Sequence, residues 1–147
     1  MARRILIVED YPPLAKVIAI AAQREGYEVV RVGNVARALA AHGTFDLAIV
    51  DLDLPDGLGT DLVRQLSDDG RLKATVFFTS TRDTWLRQQA AQLGCIVDKE
   101  AGLGELMLAV NRDVEQTERL AREVGGSPSP APQGTRRSGA RPVIRRR

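Results

Sequence analysis

The stretch DLAIVDLDLPDGLGTDLV, residues 46–63, decides how the chain is read. Leu47, Ala48, Ile49 and Val50 form a short apolar run with an aspartate at each end. A run this short, rich in branched residues, predicts a strand over 46–50 that is covered on both faces. Pro55-Asp56-Gly57 is a turn signal. A helix over 59–66 follows, with Leu62, Val63 and Leu66 on its inner side. The unit is therefore strand, carboxylate, turn and helix, with Asp51 at the strand's carboxyl end.

Four more units of the same kind flank it. Residues 4–8 (RILIV) read as a buried strand, followed by a helix over 14–24 with Leu14, Val17, Ile18 and Ala21 on one face. Gly26 ends that helix. Residues 27–32 give a second strand, and Asn34 caps a helix reaching His42. Residues 74–78 (ATVFF) form the fourth strand and 82–93 the fourth helix, ended by Gly94. Residues 95–97 are a short fifth strand. The last helix spans 103–124 on a stripe of Leu103, Leu106, Met107, Val110 and Val114. Five strand–helix units predict an α/β fold, a five-stranded parallel sheet with helices on both faces. Of the two common doubly wound orders, 2-1-3-4-5 fits five units.

The chain has 147 residues and a formal charge of +2. That positive balance is local. Residues 125–147 hold six arginines and no acid, which leaves 15 basic and 19 acidic residues over 1–124, a net of −4. The segment 125–147, rich in Pro, Gly, Ser and Arg, is expected to be a disordered basic tail beside a domain over 1–124. Nothing after residue 124 is expected to form a folded output module. A single cysteine, Cys95, excludes an internal disulfide framework. Arg3 and Arg4 precede an apolar run too short for a signal peptide, so the expected setting is cytoplasmic, and no membrane span is expected.

Chemistry gathers at the strand ends. Strand one ends in Glu9-Asp10, strand three in Asp51, strand four in Thr79-Ser80, and strand five in Asp98-Lys99. In the order 2-1-3-4-5, three carboxylates (Glu9, Asp10 and Asp51), the Thr79 hydroxyl and the Lys99 amine share one crevice. Clustered carboxylates raise one another's pKa, and a hard divalent cation relieves the repulsion. Magnesium suits two or so carboxylates, waters and a phosphoryl oxygen.

The segments ILIVED (5–10), DLAIVDLDLPDGLGTDLV (46–63), TVFFTS (75–80) and DKE (98–100) together resemble the receiver domain of two-component response regulators. The resemblance covers about residues 1–122. It implies a flavodoxin-like (βα)5 fold, as in chemotaxis receivers. It also implies that Asp51 accepts a phosphoryl group from the phosphohistidine of a sensor histidine kinase or phosphotransfer protein. Asp10, Asp51 and the backbone carbonyl of Asp53 would hold Mg2+ (or Mn2+), with Glu9 acting through a water. Thr79 would be the switch hydroxyl, Lys99 the phosphoryl partner and Ser80 the small neighbour. Asp53 and Thr81 would tune dephosphorylation. Such a protein is a signalling phosphoacceptor that assists its own chemistry, and is not an enzyme turning over a separate substrate.

Some residues depart from the family pattern. Glu9 stands for the commoner aspartate, and the interval from Gly94 to Lys99 is about two residues short. Ile96 occupies the usual aromatic switch position, and Glu100 a frequent proline. A homodimer through the face of helix four, strand five and helix five is one form of output; contact of the arginine tail with nucleic acid or an acidic partner is another. A rival reading is a haloacid-dehalogenase-like phosphatase with Asp51 and Asp53 as nucleophile and acid. There, however, the acidic metal pair should follow the lysine. Taken singly, Asp51 reads as a turn cap, Thr79 as a structural hydroxyl and Lys99 as a solvated charge. His42 is expected to be exposed, Cys95 buried and inert, and Trp85 packed at the edge of helix four or else set on a partner surface.

Overall fold

The computed structural model describes residues 2–125. Most of the expected tail, 126–147, lies outside the described residues. The chain divides into two units, Met1–Thr117 and Glu118–Arg147.

Five strands, β1 (Arg4–Val8), β2 (Glu28–Val32), β3 (Leu47–Val50), β4 (Thr75–Thr79) and β5 (Cys95–Asp98), form one parallel sheet in the order β2-β1-β3-β4-β5. This is the expected order 2-1-3-4-5. The helices are α1 (Pro12–Arg24), α2 (Val35–Ala40), α3 (Gly59–Asp68), α4 (Thr84–Ala91) and α5 (Gly102–Gly125). A two-strand hairpin pairs Asp53–Leu54 with Gly57–Leu58 around the Pro55-Asp56 turn.

Strand alternation explains the layers. Successive side chains point to opposite faces of a sheet. Leu6, Val8, Ala48, Val50 and Phe77 meet Ala38 of α2, Leu62, Val63 and Leu66 of α3, and Leu86 and Ala90 of α4. Ile5, Ile7, Leu47, Ile49, Val76 and Phe78 meet Ile18 and Ala19 of α1 and Leu106, Ala109 and Val110 of α5. The inner faces read for α3 and α5 are the ones that pack, with Leu103 and Met107 at the margin.

Helix α1 is turned relative to expectation. It buries Ala15, Ile18, Ala19 and Ala22, while Val17 is 44% exposed and Ile20 39%. Residues 14–22 are apolar except Lys16, so periodicity could not choose the face. Small alanines let the helix lie close to the sheet. Trp85 is 59% exposed and does not pack at the edge of α4. Only Leu86 and Ala90, one turn apart, face inward from that helix, and Trp85 lies about 100° round from Leu86. Cys95 is half-buried with Sγ 3.4 Å from Arg112 Nη2, because β5 is an edge strand. His42 is exposed, as expected.

Helix boundaries follow their caps. Asn34 accepts the Arg37 N–H at 2.8 Å, and Asp83 accepts the Leu86 N–H at 3.1 Å. The latter starts α4 at Thr84 instead of residue 82. Helix α2 stops at Ala40, since Ala41 is extended, and does not reach His42. Both its ends are held from afar. Asp56 accepts the N–H groups of Val35 (2.8 Å) and Ala36 (3.0 Å). Arg71 donates to the carbonyls of Leu39 and Ala41. Among the described residues, no helix is long and apolar enough to cross a membrane.

Candidate functional site

The parallel sheet brings the carboxyl ends of β1, β3, β4 and β5 to one edge. Glu9 and Asp10 follow β1, Asp51 follows β3, Thr79 ends β4 and Lys99 follows β5. Carboxylate oxygens of Glu9, Asp10 and Asp51 lie within 4.8 Å of one another. Lys99 Nζ sits 2.8 Å from Asp51 Oδ2 and 3.0 Å from Glu9 Oε1. The sequence-predicted carboxylates and amine therefore do converge.

Each is held by its surroundings. Glu9 is 4% exposed, and its Oε2 accepts the Tyr11 N–H at 3.1 Å. The Asp51 N–H donates to the Val8 carbonyl at 3.1 Å, which fixes Asp51 to β1. Gly59 opens α3 against the same strand end. A Cβ there would run into the carbonyl oxygen of Asp51 and into Val50, so only glycine allows this approach. The Gly59 N–H donates to the Leu52 carbonyl at 2.9 Å.

Burial pushes the Glu9 carboxyl above its ordinary range; the Lys99 ammonium and the Tyr11 N–H only partly oppose this, and Asp51 adds repulsion. Burial also opposes the charge on Lys99. Its hydrogen bonds and charge pairing with Asp51 and Glu9 outweigh that and raise its pKa. Lys99 is thus a fixed cation, and the cluster around it is acidic, partly buried and rich in oxygen donors. Such a donor set fits a hard divalent cation. A cleft of about 400 Å³, lined by Glu9, Asp10, Asn34, Arg37 and Pro55 among others, opens beside Asp10 to solvent.

The remaining predicted residues end or follow the strands at the same edge or sit in the hairpin after β3. Thr79 is buried, and its Oγ1 accepts the Thr81 N–H at 3.2 Å. Ser80 is exposed and Thr81 half-buried. Asp53 is exposed in the hairpin, its N–H 3.5 Å from Asp51 Oδ1. Ile96 is half-buried and packs against the core on the α4 side. Sequence reasoning missed Arg87 and gave Asp98 no role. Arg87 Nη1 donates to Asp98 Oδ1 at 2.9 Å and to the Thr81 carbonyl at 3.2 Å. No local pattern announces a pair that joins a helix to a strand.

A family model described as the response regulator receiver domain matches residues 5–111. The DNA-binding response regulator MtrA of Mycolicibacterium smegmatis is 36% identical over 86 residues, covering 57% of this chain and 37% of MtrA. The sensor protein TorS of Escherichia coli is 35% identical over 124 residues, covering 75% of this chain and 14% of TorS. The chain thus spans about a third or less of these curated relatives. A receiver domain protein (CheY-like) from Methanospirillum hungatei superposes with a TM-score of 0.73 at 22% identity, covering 81% of this chain and 98% of that one.

Proposed function

The chain belongs to the response regulator receiver domain family, and from that premise we propose that Asp51 accepts a phosphoryl group from the phosphohistidine of a sensor histidine kinase or phosphotransfer protein. The observation that carries this reading is the Lys99 ammonium held between Asp51 and Glu9 beside the exposed Asp10. This arrangement leaves a carboxylate nucleophile next to a fixed cation and an opening to solvent.

In the transfer, an Asp51 carboxylate oxygen attacks phosphorus as the P–N bond to the donor imidazole breaks. The electron pair leaves with the imidazole nitrogen, and an acyl phosphate forms on Asp51. Transfer of this kind depends mainly on alignment and charge neutralisation. Asp10, Asp51 and the Asp53 backbone carbonyl would hold Mg2+ (or Mn2+), with Glu9 acting through a water. When bound, the ion supplies positive charge against the phosphoryl oxygens. Lys99 exchanges its bond to Asp51 for one to a phosphoryl oxygen. Thr79 turns its hydroxyl from the Thr81 N–H toward the same group, and the small Ser80 leaves room. Asp53 and Thr81 border the path of a hydrolytic water and tune the lifetime of the acyl phosphate.

Signalling then follows from the change in conformation, and we place it in the cytoplasm. A homodimer through α4, β5 and α5 is one output, and contact of the basic segment 125–147 with nucleic acid or an acidic partner is another. The latter falls outside the described residues. Intact mass with magnesium and a small acyl phosphate donor tests the central claim. Wild type should gain one phosphoryl group and Asp51→Ala none. An unmodified wild type, against both that donor and a panel of histidine kinases, would overturn it.

A further inference from the structure

The switch hydroxyl and the phosphoacceptor are connected by hydrogen bonds and two backbone links, at Thr81 and at Asp98–Lys99, along a path that passes through α4. Thr79 Oγ1 accepts the Thr81 N–H at 3.2 Å. The Thr81 carbonyl accepts from Arg87 Nη1 at 3.2 Å, and the same nitrogen donates to Asp98 Oδ1 at 2.9 Å. The next residue, Lys99, donates to Asp51 Oδ2 at 2.8 Å. Arg82, in the loop before α4, adds a longer contact of 3.5 Å to Asp98 and a 2.6 Å bond to Glu100. Two guanidinium groups therefore tie the loop at 80–83 to the end of β5.

The placement has a mechanical consequence. A Thr79 hydroxyl that turns toward a phosphoryl oxygen gives up the Thr81 N–H. With the Thr81 carbonyl tied to Arg87 and through it to Asp98, the loop is less free to rearrange once that N–H is released. Ile96 offers no aromatic ring whose rotation could report the change, and it stays packed on the core.

We propose that the Arg87–Asp98 ion pair is a latch on the loop at 80–83, so that these two positioning residues set how readily the Asp51 site accepts a phosphoryl group. This rests on the phosphoacceptor reading above. The pair favours the unphosphorylated arrangement. By linkage, whatever favours one of two states weakens a ligand that selects the other. The pair is about one-third exposed on both sides, so its hold is modest.

The test is calorimetric titration of the full chain with beryllofluoride, a phosphoryl analogue, in the presence of magnesium. Arg87→Gln and Asp98→Asn should each bind the analogue roughly two- to fivefold more tightly than wild type. The double variant should gain less than the sum of the two single effects, because both singles already break the Arg87–Asp98 pair. Mere structural damage would weaken binding, so equal, weaker or additive effects in folded variants overturn the latch. If either variant does not fold, amide exchange in wild type decides. The analogue should speed exchange at the Thr81 N–H, and unchanged exchange overturns the latch. A wild type that binds no analogue overturns the phosphoacceptor reading itself, a result distinct from either of these.

Discussion

The Lys99 ammonium lies 2.8 Å from Oδ2 of Asp51, and the side chains are 22% and 10% exposed. One cation thereby offsets two neighbouring carboxylates, since Glu9 lies 3.0 Å from the same nitrogen. Replacing Lys99 by methionine leaves Asp51 and Glu9 facing each other with no counter-charge. The metal-free variant should lose about 1–3 kcal/mol of stability, read from urea midpoints. Magnesium should narrow the gap to wild type. An equal gap with and without the ion would place the metal elsewhere.

Glu9 gives a pH signature. Burial raises its pKa above 4.5 in the folded protein. A carboxyl with a raised folded pKa costs stability while ionised, and the cost is recovered as pH falls through that pKa toward the unfolded value. Metal-free wild type should therefore gain stability relative to Glu9→Gln on moving from neutral into mildly acidic solution. Magnesium affinity should move the other way, weakening as the proton competes. Calorimetry across that range checks both, and parallel pH profiles for the two proteins would contradict the assignment.

Gly59→Ala tests how closely α3 approaches Asp51. The new methyl meets the backbone carbonyl of Asp51 itself, which cannot swing aside as a side chain can. Overpacking of this kind costs about 1–3 kcal/mol. Phosphoryl incorporation should slow together with the fall in urea midpoint.

Asp56→Ala removes the acceptor for the first two N–H groups of α2. Amide exchange at Val35 and Ala36 should accelerate, with the sheet unaffected. Those same N–H bonds lower the Asp56 pKa below 3.8. The protection they give is present above the unfolded value and should fade as pH falls through the folded one.

Val17 and Ile20 are exposed apolar residues on the outward face of α1, the helix that follows β1. Val17→Glu or Ile20→Glu should reduce transfer from a histidine kinase by about tenfold or more, as loss of a buried interface contact does. Labelling from a small acyl phosphate should be unchanged. Equal loss with both donors would mean a damaged site.

The sheet was legible because the uninterrupted apolar runs in RILIV, DLAIV and TVFF require cover on both faces, and the order because 2-1-3-4-5 is the common doubly wound order that fits five units. The site was legible because parallel strands put Glu9, Asp10, Asp51, Thr79 and Lys99 at one edge. Other features depend on distance along the chain. The face of α1 was ambiguous because almost every residue from Leu14 to Ala22 is apolar. Trp85 turned outward because Leu86 and Ala90 alone supply the contact of a short helix. Arg87 and Asp98 stand eleven positions apart and Asp56 and Val35 twenty-one. Such pairs leave no periodic trace in a sequence.

Helix α2 has only six residues, and beyond its local cap Asn34 the groups that hold its ends come from Asp56 and Arg71. A helix this short does not persist alone in water, since nucleation outweighs the few bonds it gains. Its two distant supports are in place only once the chain from β3 to Arg71 has found its place. During folding, then, α2 joins late although it lies early in the chain, and its residues should contribute little to the rate-limiting step.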